Sequence, residues 1–207
     1  MLEFMLDAGP LIYPLCLCSL LAVAITLERL WALGRHRVLP REIAEVVEAI
    51  QPGKDLSLAI EVCRRNPGAF SNVMRKGLEL AGEPWEVLRD GVLDAGRQET
   101  GVLERHLGWL QTIAQVAPLL GLLGTVTGML KVFAAIAVSG LGDYKAFTVG
   151  IKEALNTTVI GLAIGIPALV AYNLLTDRSE RLIGEIEAYA SGLVGRLRHR
   201  APGGEAS

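Results

Sequence analysis

The sequence predicts an all-α membrane protein with three transmembrane helices. Three long apolar stretches carry almost no charge, and 51% of the 207 residues are hydrophobic with a mean hydropathy of +0.40. Glycine is abundant at 23 residues while aromatics make up only 5%, a balance that suits close-packed membrane helices better than a soluble core. The net charge of −2 gives no basic excess that would mark a nucleic-acid partner. The three cysteines form neither a CxxC nor a zinc pattern, so Cys16, Cys18 and Cys63 read as free thiols.

A hydrocarbon core of about 30 Å takes about 20 apolar helical residues. The first span is expected over 10–31, after a nine-residue N-terminal segment, 1–9. The flank before it has no Lys or Arg, and the basic residues Arg29, Arg35, Arg37 and Arg41 follow it. That is the reverse of a cleaved signal peptide, so a retained span is expected. Lys and Arg favour the cytoplasmic side, which places the N-terminus outside. Residues 32–108 then form a cytoplasmic helical loop, 109–138 the second span and 139–150 an outer link. The third span covers 151–175, a cytoplasmic helix 176–200 and a disordered tail 201–207. Arg178, Arg181, Arg196, Arg198 and Arg200 agree with an inside C-terminus, and the outer link contributes only Lys145.

Within the loop, Ile43, Val46, Val47 and Ile50 share one helical face, and Pro52-Gly53 ends that helix. A second short helix is expected over 55–63, and a third over 69–80. Pro84 restarts the chain. From Trp85 there is no strong stop until Val138, so one long helix is expected to run through the loop's end into the second span. In the tail, Leu182, Ile186, Tyr189, Leu193 and Leu197 make an apolar stripe, which requires a packing partner.

The second span contains Pro118, Gly121, Gly124, Thr125, Thr127 and Gly128. Gly121, Gly124, Thr125 and Gly128 follow the i, i+3, i+4, i+7 pattern, so the glycines read as a helix-packing stripe. The hydroxyl of Thr125 either lines a pore or bonds its own helix. The third span contains Glu153, Asn156, Thr157 and Thr158, then Gly161, Gly165 and Pro167, which with Pro118 are also expected to serve helix packing. A carboxylate at membrane depth costs about 2.5–3.5 kcal/mol on an insertion scale, so it is paired, faces water or carries a proton. The simplest alternative puts Glu153 at the interface beside Lys152. Against it, Asn156, Thr157 and Thr158 continue the polar patch inward for more than a turn. Lys131 is expected to snorkel toward the outer interface. His36, His106 and His199 fall among basic residues and read as solvated or interfacial. The GxGD string at 140–143 matches intramembrane aspartyl proteases but has no second aspartate at membrane depth. HExxH, GxSxG and Walker A strings are absent, so no enzyme is expected.

PLLGLLGTVTGM (118–129) and EALNTTVIGLAIGIPALVAYN (153–173), with ERLW (28–31) closing the first span, resemble the ExbB/TolQ/MotA proton-channel family, most like ExbB. The resemblance implies a homo-oligomer, a pentamer, around helices of an ExbD- or TolR-like single-span partner bearing a membrane aspartate. It implies proton flow that drives work at the outer membrane through a TonB- or TolA-like protein, from the bacterial inner membrane. By position Glu153, Thr125 and Thr158 correspond to the family's channel-lining residues. Thr157 stands where members often carry a small apolar residue, and it is added to the expected pathway. A MotA-like stator is disfavoured because it has a fourth span. Neither a metal nor an organic cofactor is implied.

Overall fold

In the computed structural model, residues 10–50, 56–139 and 144–197 are described, and all their regular structure is helical. The helices are α1 (Ile12–Ala32), α2 (Arg35–Val38), α3 (Arg41–Glu48), α4 (Ser57–Arg65), α5 (Ala69–Glu79), α6 (Trp85–Leu103), α7 (Leu107–Ser139) and α8 (Tyr144–Leu197). Pro52-Gly53, Asp55, the GxGD string and the segments 1–9 and 198–207 lie outside the described residues.

The chain divides into two compact units. The first comprises residues 1–28 and 106–174, and the second 29–105 and 175–207. Three stretches, in α1, α7 and α8, are long and apolar enough to cross a membrane, and only 17–22% of each is buried within the chain. Leu20, Trp109, Leu119, Phe133, Val149 and Leu174 are exposed. Apolar surface on that scale does not persist in water, so lipid or other apolar helices must cover it.

The second unit has a core of its own. α3 packs on α4, α4 on α5, and α5 on α6. Ile43, Val47, Phe70, Val73, Met74, Leu78 and Leu88 are buried there. The C-terminal part of α8 completes it. Leu182, Ile186, Leu193 and Leu197 are buried, while Tyr189 is half-buried with its ring edge-on to Phe70 at 5.2 Å. The apolar stripe of the tail therefore packs against the loop helices of its own chain. Full burial of one such Leu or Phe side chain contributes about 1.5–3 kcal/mol. Cys63 is buried between these helices, and burial pushes its thiol up from the usual range. Burial likewise pushes up the Tyr189 phenol, with the Glu48 carboxylate adding to the shift.

Several basic residues that the sequence presents only as flanking charges hold this unit together. Arg178 Nε donates to Leu33 O at 2.8 Å, and Arg196 Nη1 donates to Val47 O at 2.7 Å. Val47 lies in the last turn of α3 and Leu33 directly follows α1, so each arginine satisfies a carbonyl at a helix C-terminus. Arg29 is 7% exposed and reaches Val102 O at 3.5 Å. Arg37 stacks over Trp31 at 3.4 Å, and Arg35 pairs with Glu185 at 2.8 Å.

The continuous helix expected from Trp85 to Val138 is interrupted. α6 ends at Leu103, α7 begins at Leu107, and His106 between them has φ = 67°. A residue in the left-handed region ends a helix because the next amide no longer points at its i−4 carbonyl. Histidine is among the few non-glycine residues that populate this region appreciably. Here its Nδ1 lies 2.9 Å from Glu28 Oε2, so the ring is engaged in a specific contact rather than merely solvated.

Candidate functional site: the α7–α8 seam

Polar and small residues converge where α7 and α8 pack in the first unit. A Cβ added at Gly121 would meet Thr157 O and Thr158 Cα at 3.1 Å and Gly161 Cα at 3.3 Å. One at Gly161 would stand 2.6 Å from Ala117 O and 3.0 Å from Gly121 Cα. A Cβ at Gly124 would overlap the Thr157 side chain, and one at Gly128 would meet Ala154 Cβ at 2.8 Å. At Gly165 it would lie 2.5 Å from Pro118 Cγ. The two glycine patterns are thus opposite sides of one seam, and the helices touch backbone to backbone. Gly150 and Ala117, not singled out from the sequence, belong to it too. Gly150 would meet Val132, and Ala117 is fully buried. Pro167 faces elsewhere, lining a groove with Ser19, Ala22, Val23 and Thr26 of α1.

The polar side chains sit along this seam. Thr158 Oγ1 donates across it to Gly121 O at 3.0 Å. Thr157 is fully buried, and its Oγ1 donates to Glu153 O at 2.7 Å. Thr125 Oγ1 donates to Leu122 O at 2.6 Å, within its own helix. Asn156 is 8% exposed, and among the described residues its Nδ2 finds no acceptor. Glu153, with a side chain 17% exposed, is bonded by Lys131: Nζ lies 2.5 Å from Oε1. The expectation that Lys131 snorkels outward therefore fails. It lies eight residues before the end of α7 at Ser139, and Glu153 nine residues after the start of α8 at Tyr144. At 1.5 Å per residue both are about 12–14 Å from those helix ends. A four-carbon stem of about 6 Å falls well short of that distance. The nearer anion, level with it across the seam, captures the ammonium.

Helical geometry separates the candidate pathway residues within one chain. At about 100° per residue, Thr125 and Lys131 are about 120° apart around α7, on either side of the glycine stripe. Glu153 and Thr158 are about 140° apart around α8. Glu153 and Lys131 occupy one flank of the seam, and Thr125 and Thr158 the other. Thr125 opens onto a shallow apolar groove with Val126, Met129, Leu130 and Phe133. Among the described residues, no three His, Cys, Asp or Glu side chains are grouped to hold a metal ion.

Residues 66–188, more than half of the chain, match the MotA/TolQ/ExbB proton channel family. Among curated proteins, the chain is 31% identical over 189 residues to a biopolymer transport protein ExbB homolog of Methanothermobacter thermautotrophicus, covering 90% of this chain and 66% of that protein. It is 30% identical over 198 residues to the biopolymer transport protein ExbB-like 1 of Synechocystis, covering 93% of this chain and 77% of the relative. It is 34% identical over 157 residues to the Tol-Pal system protein TolQ of Pseudomonas aeruginosa, covering 69% and 68%. The chain thus spans just under two thirds of the first of these relatives.

Proposed function

The chain belongs to the MotA/TolQ/ExbB proton channel family, and from that premise we propose that it is the channel subunit of an inner-membrane motor. In this reading the proton-motive force is coupled to work at the outer membrane, in the manner of ExbB and TonB-dependent uptake. The observation that carries the reading is Glu153: a largely enclosed carboxylate about 13 Å along an apolar helix, facing a seam too tight to admit lipid. A group there that binds and releases a proton can relay it, and hydroxyls at Thr157, Thr158 and Thr125 can carry hydrating water. Because one chain splits these residues between two flanks, the pathway is completed by neighbouring copies. A pentameric ring around an ExbD- or TolR-like helix pair supplies such neighbours.

A TolQ-like role in envelope maintenance is the second reading, favoured by the similarity to the Pseudomonas TolQ. Both readings use the same channel and differ in the partner that receives the motion.

The test is Glu153→Gln in a strain whose siderophore-dependent growth or envelope integrity needs this protein. We expect loss of the energised process while native mass spectrometry shows an intact ring. Retained activity at normal expression would overturn the relay. A ring that falls apart would instead make the polar residues a scaffold for helix packing.

A further inference from the structure

We propose that Lys131 is the electrostatic gate of the pathway: in the resting subunit its ammonium occupies the Glu153 carboxylate and bars protons from it. The inference rests on the proposed relay at Glu153 and adds a residue that closes it.

Three observations carry the assignment. Lys131 Nζ stands in direct contact with Glu153 Oε1, a hydrogen bond between opposite charges. Lys131 and Glu153 are level along their helices, as their positions relative to Ser139 and Tyr144 place them. The third is an asymmetry of exposure: 54% for the Lys131 side chain against 17% for Glu153. The carboxylate is therefore fixed by the seam, while the ammonium reaches it from an open flank through one bond and a flexible stem. The part free to move is the cation.

The physical consequence follows from charge. A cation held beside the carboxylate repels an approaching proton, as basic side chains do in pores that exclude cations. A proton added to either carboxylate oxygen also removes the negative charge that holds the ammonium. In the loading step a proton from water adds to a Glu153 oxygen. The ammonium, still protonated, leaves, and the local charge rises from zero to +1. When the proton departs on the other side, the carboxylate recaptures Lys131 and the charge returns to zero. Loading is thus coupled to a swing of Lys131 away from α8, and anything that stabilises the swung position, such as an acidic group brought up by a partner helix, opens the gate. In the first unit α1 offers no rival to Lys131, because Ile12–Leu27 contains no charged residue. Lys152, next to Glu153 on α8, is the cation that must be controlled for.

The test measures proton entry into vesicles carrying the full-length protein without its single-span partner, under an imposed pH gradient, after native mass spectrometry has verified the ring. Wild type is expected to be tight. Lys131→Met and Lys131→Gln should raise proton flux at least about tenfold, the factor that loss of one charge-assisted hydrogen bond supplies. Lys131→Arg, which keeps the cation, should restore tightness. Lys152→Met should remain tight, and the double variant K131M/E153Q should return to the wild-type rate because the leak runs through Glu153. The proposal is overturned by tight neutral variants, by an equal leak in Lys152→Met, by a leak that persists in K131M/E153Q, or by failure of both neutral variants to form the ring. If E153Q supports energised growth, the relay itself fails. If E153Q abolishes growth while K131M stays tight, only the gate fails.

Discussion

At Gly161 helices α7 and α8 meet with no room for a side chain. The atoms that an added Cβ would strike, Ala117 O and Gly121 Cα, are backbone and cannot rotate away. Gly161→Ala should therefore push α7 and α8 apart and cost about 1–3 kcal/mol, the range for overpacking a filled interior. A lowered thermal midpoint of the detergent-purified protein would report it. Gly184 lies on the same helix α8 with nothing within 4 Å of an added Cβ. Gly184→Ala should be neutral or stabilising by up to about 1 kcal/mol through helix propensity. Equal effects at the two sites would mean that the seam is not where the stability lies. Small residues at helical spacing were legible as a packing face, and so was the anomaly of a glutamate in an apolar stretch. The partner of that glutamate was not. Lys131 is 22 residues away in sequence, and only the close approach allowed by the glycines brings its ammonium to the carboxylate.

The helices themselves were largely legible, because apolar length and periodicity are local properties. Short elements begin and end at proline, glycine and asparagine, as at Pro40, Asn66 and Pro84. The break between α6 and α7 was not legible. Gly101 and Gly108 flank it and look like the weak points, yet neither lies in the left-handed region, and the left-handed residue is His106. No composition signal distinguishes it, because its conformation is stabilised from outside its own segment by Glu28. If the φ angle is what matters, His106→Gly should fold normally with a stability within about 1 kcal/mol of wild type. His106→Val should be destabilised by about 1–2 kcal/mol, since a β-branched side chain resists that region. Chemical denaturation of the two variants side by side separates them, and an equal loss in both would assign the role to the Glu28 contact.

For the whole molecule, the basic residues carry two kinds of information. Their excess after α1 and after the third apolar stretch predicts a C-terminus in the cytoplasm. A reporter enzyme active only in the cytoplasm, fused at the C-terminus, should therefore work, and one active only in the periplasm should be silent. The opposite pattern would place the C-terminus outside and overturn the expected topology. The same arginines also have structural partners. Arg178 and Arg196 cap helix ends of the second unit, so replacing them to flip the topology would disturb folding as well.

By itself, the sequence determined that this chain is helical, that three stretches are apolar enough to cross a membrane, and that a carboxylate stands near the start of the third. Those properties depend on the composition and period of single segments, and no distant contact can remove them. Tertiary structure decided how the glycine faces meet, that Lys131 turns inward to Glu153, and that Thr125 and Thr158 lie on the opposite flank. It also decided that the tail stripe of α8 closes a core with α5 and α6. Each of these is a choice of partner between remote segments, and it is made by packing at ångström range, which spacing along one chain does not encode.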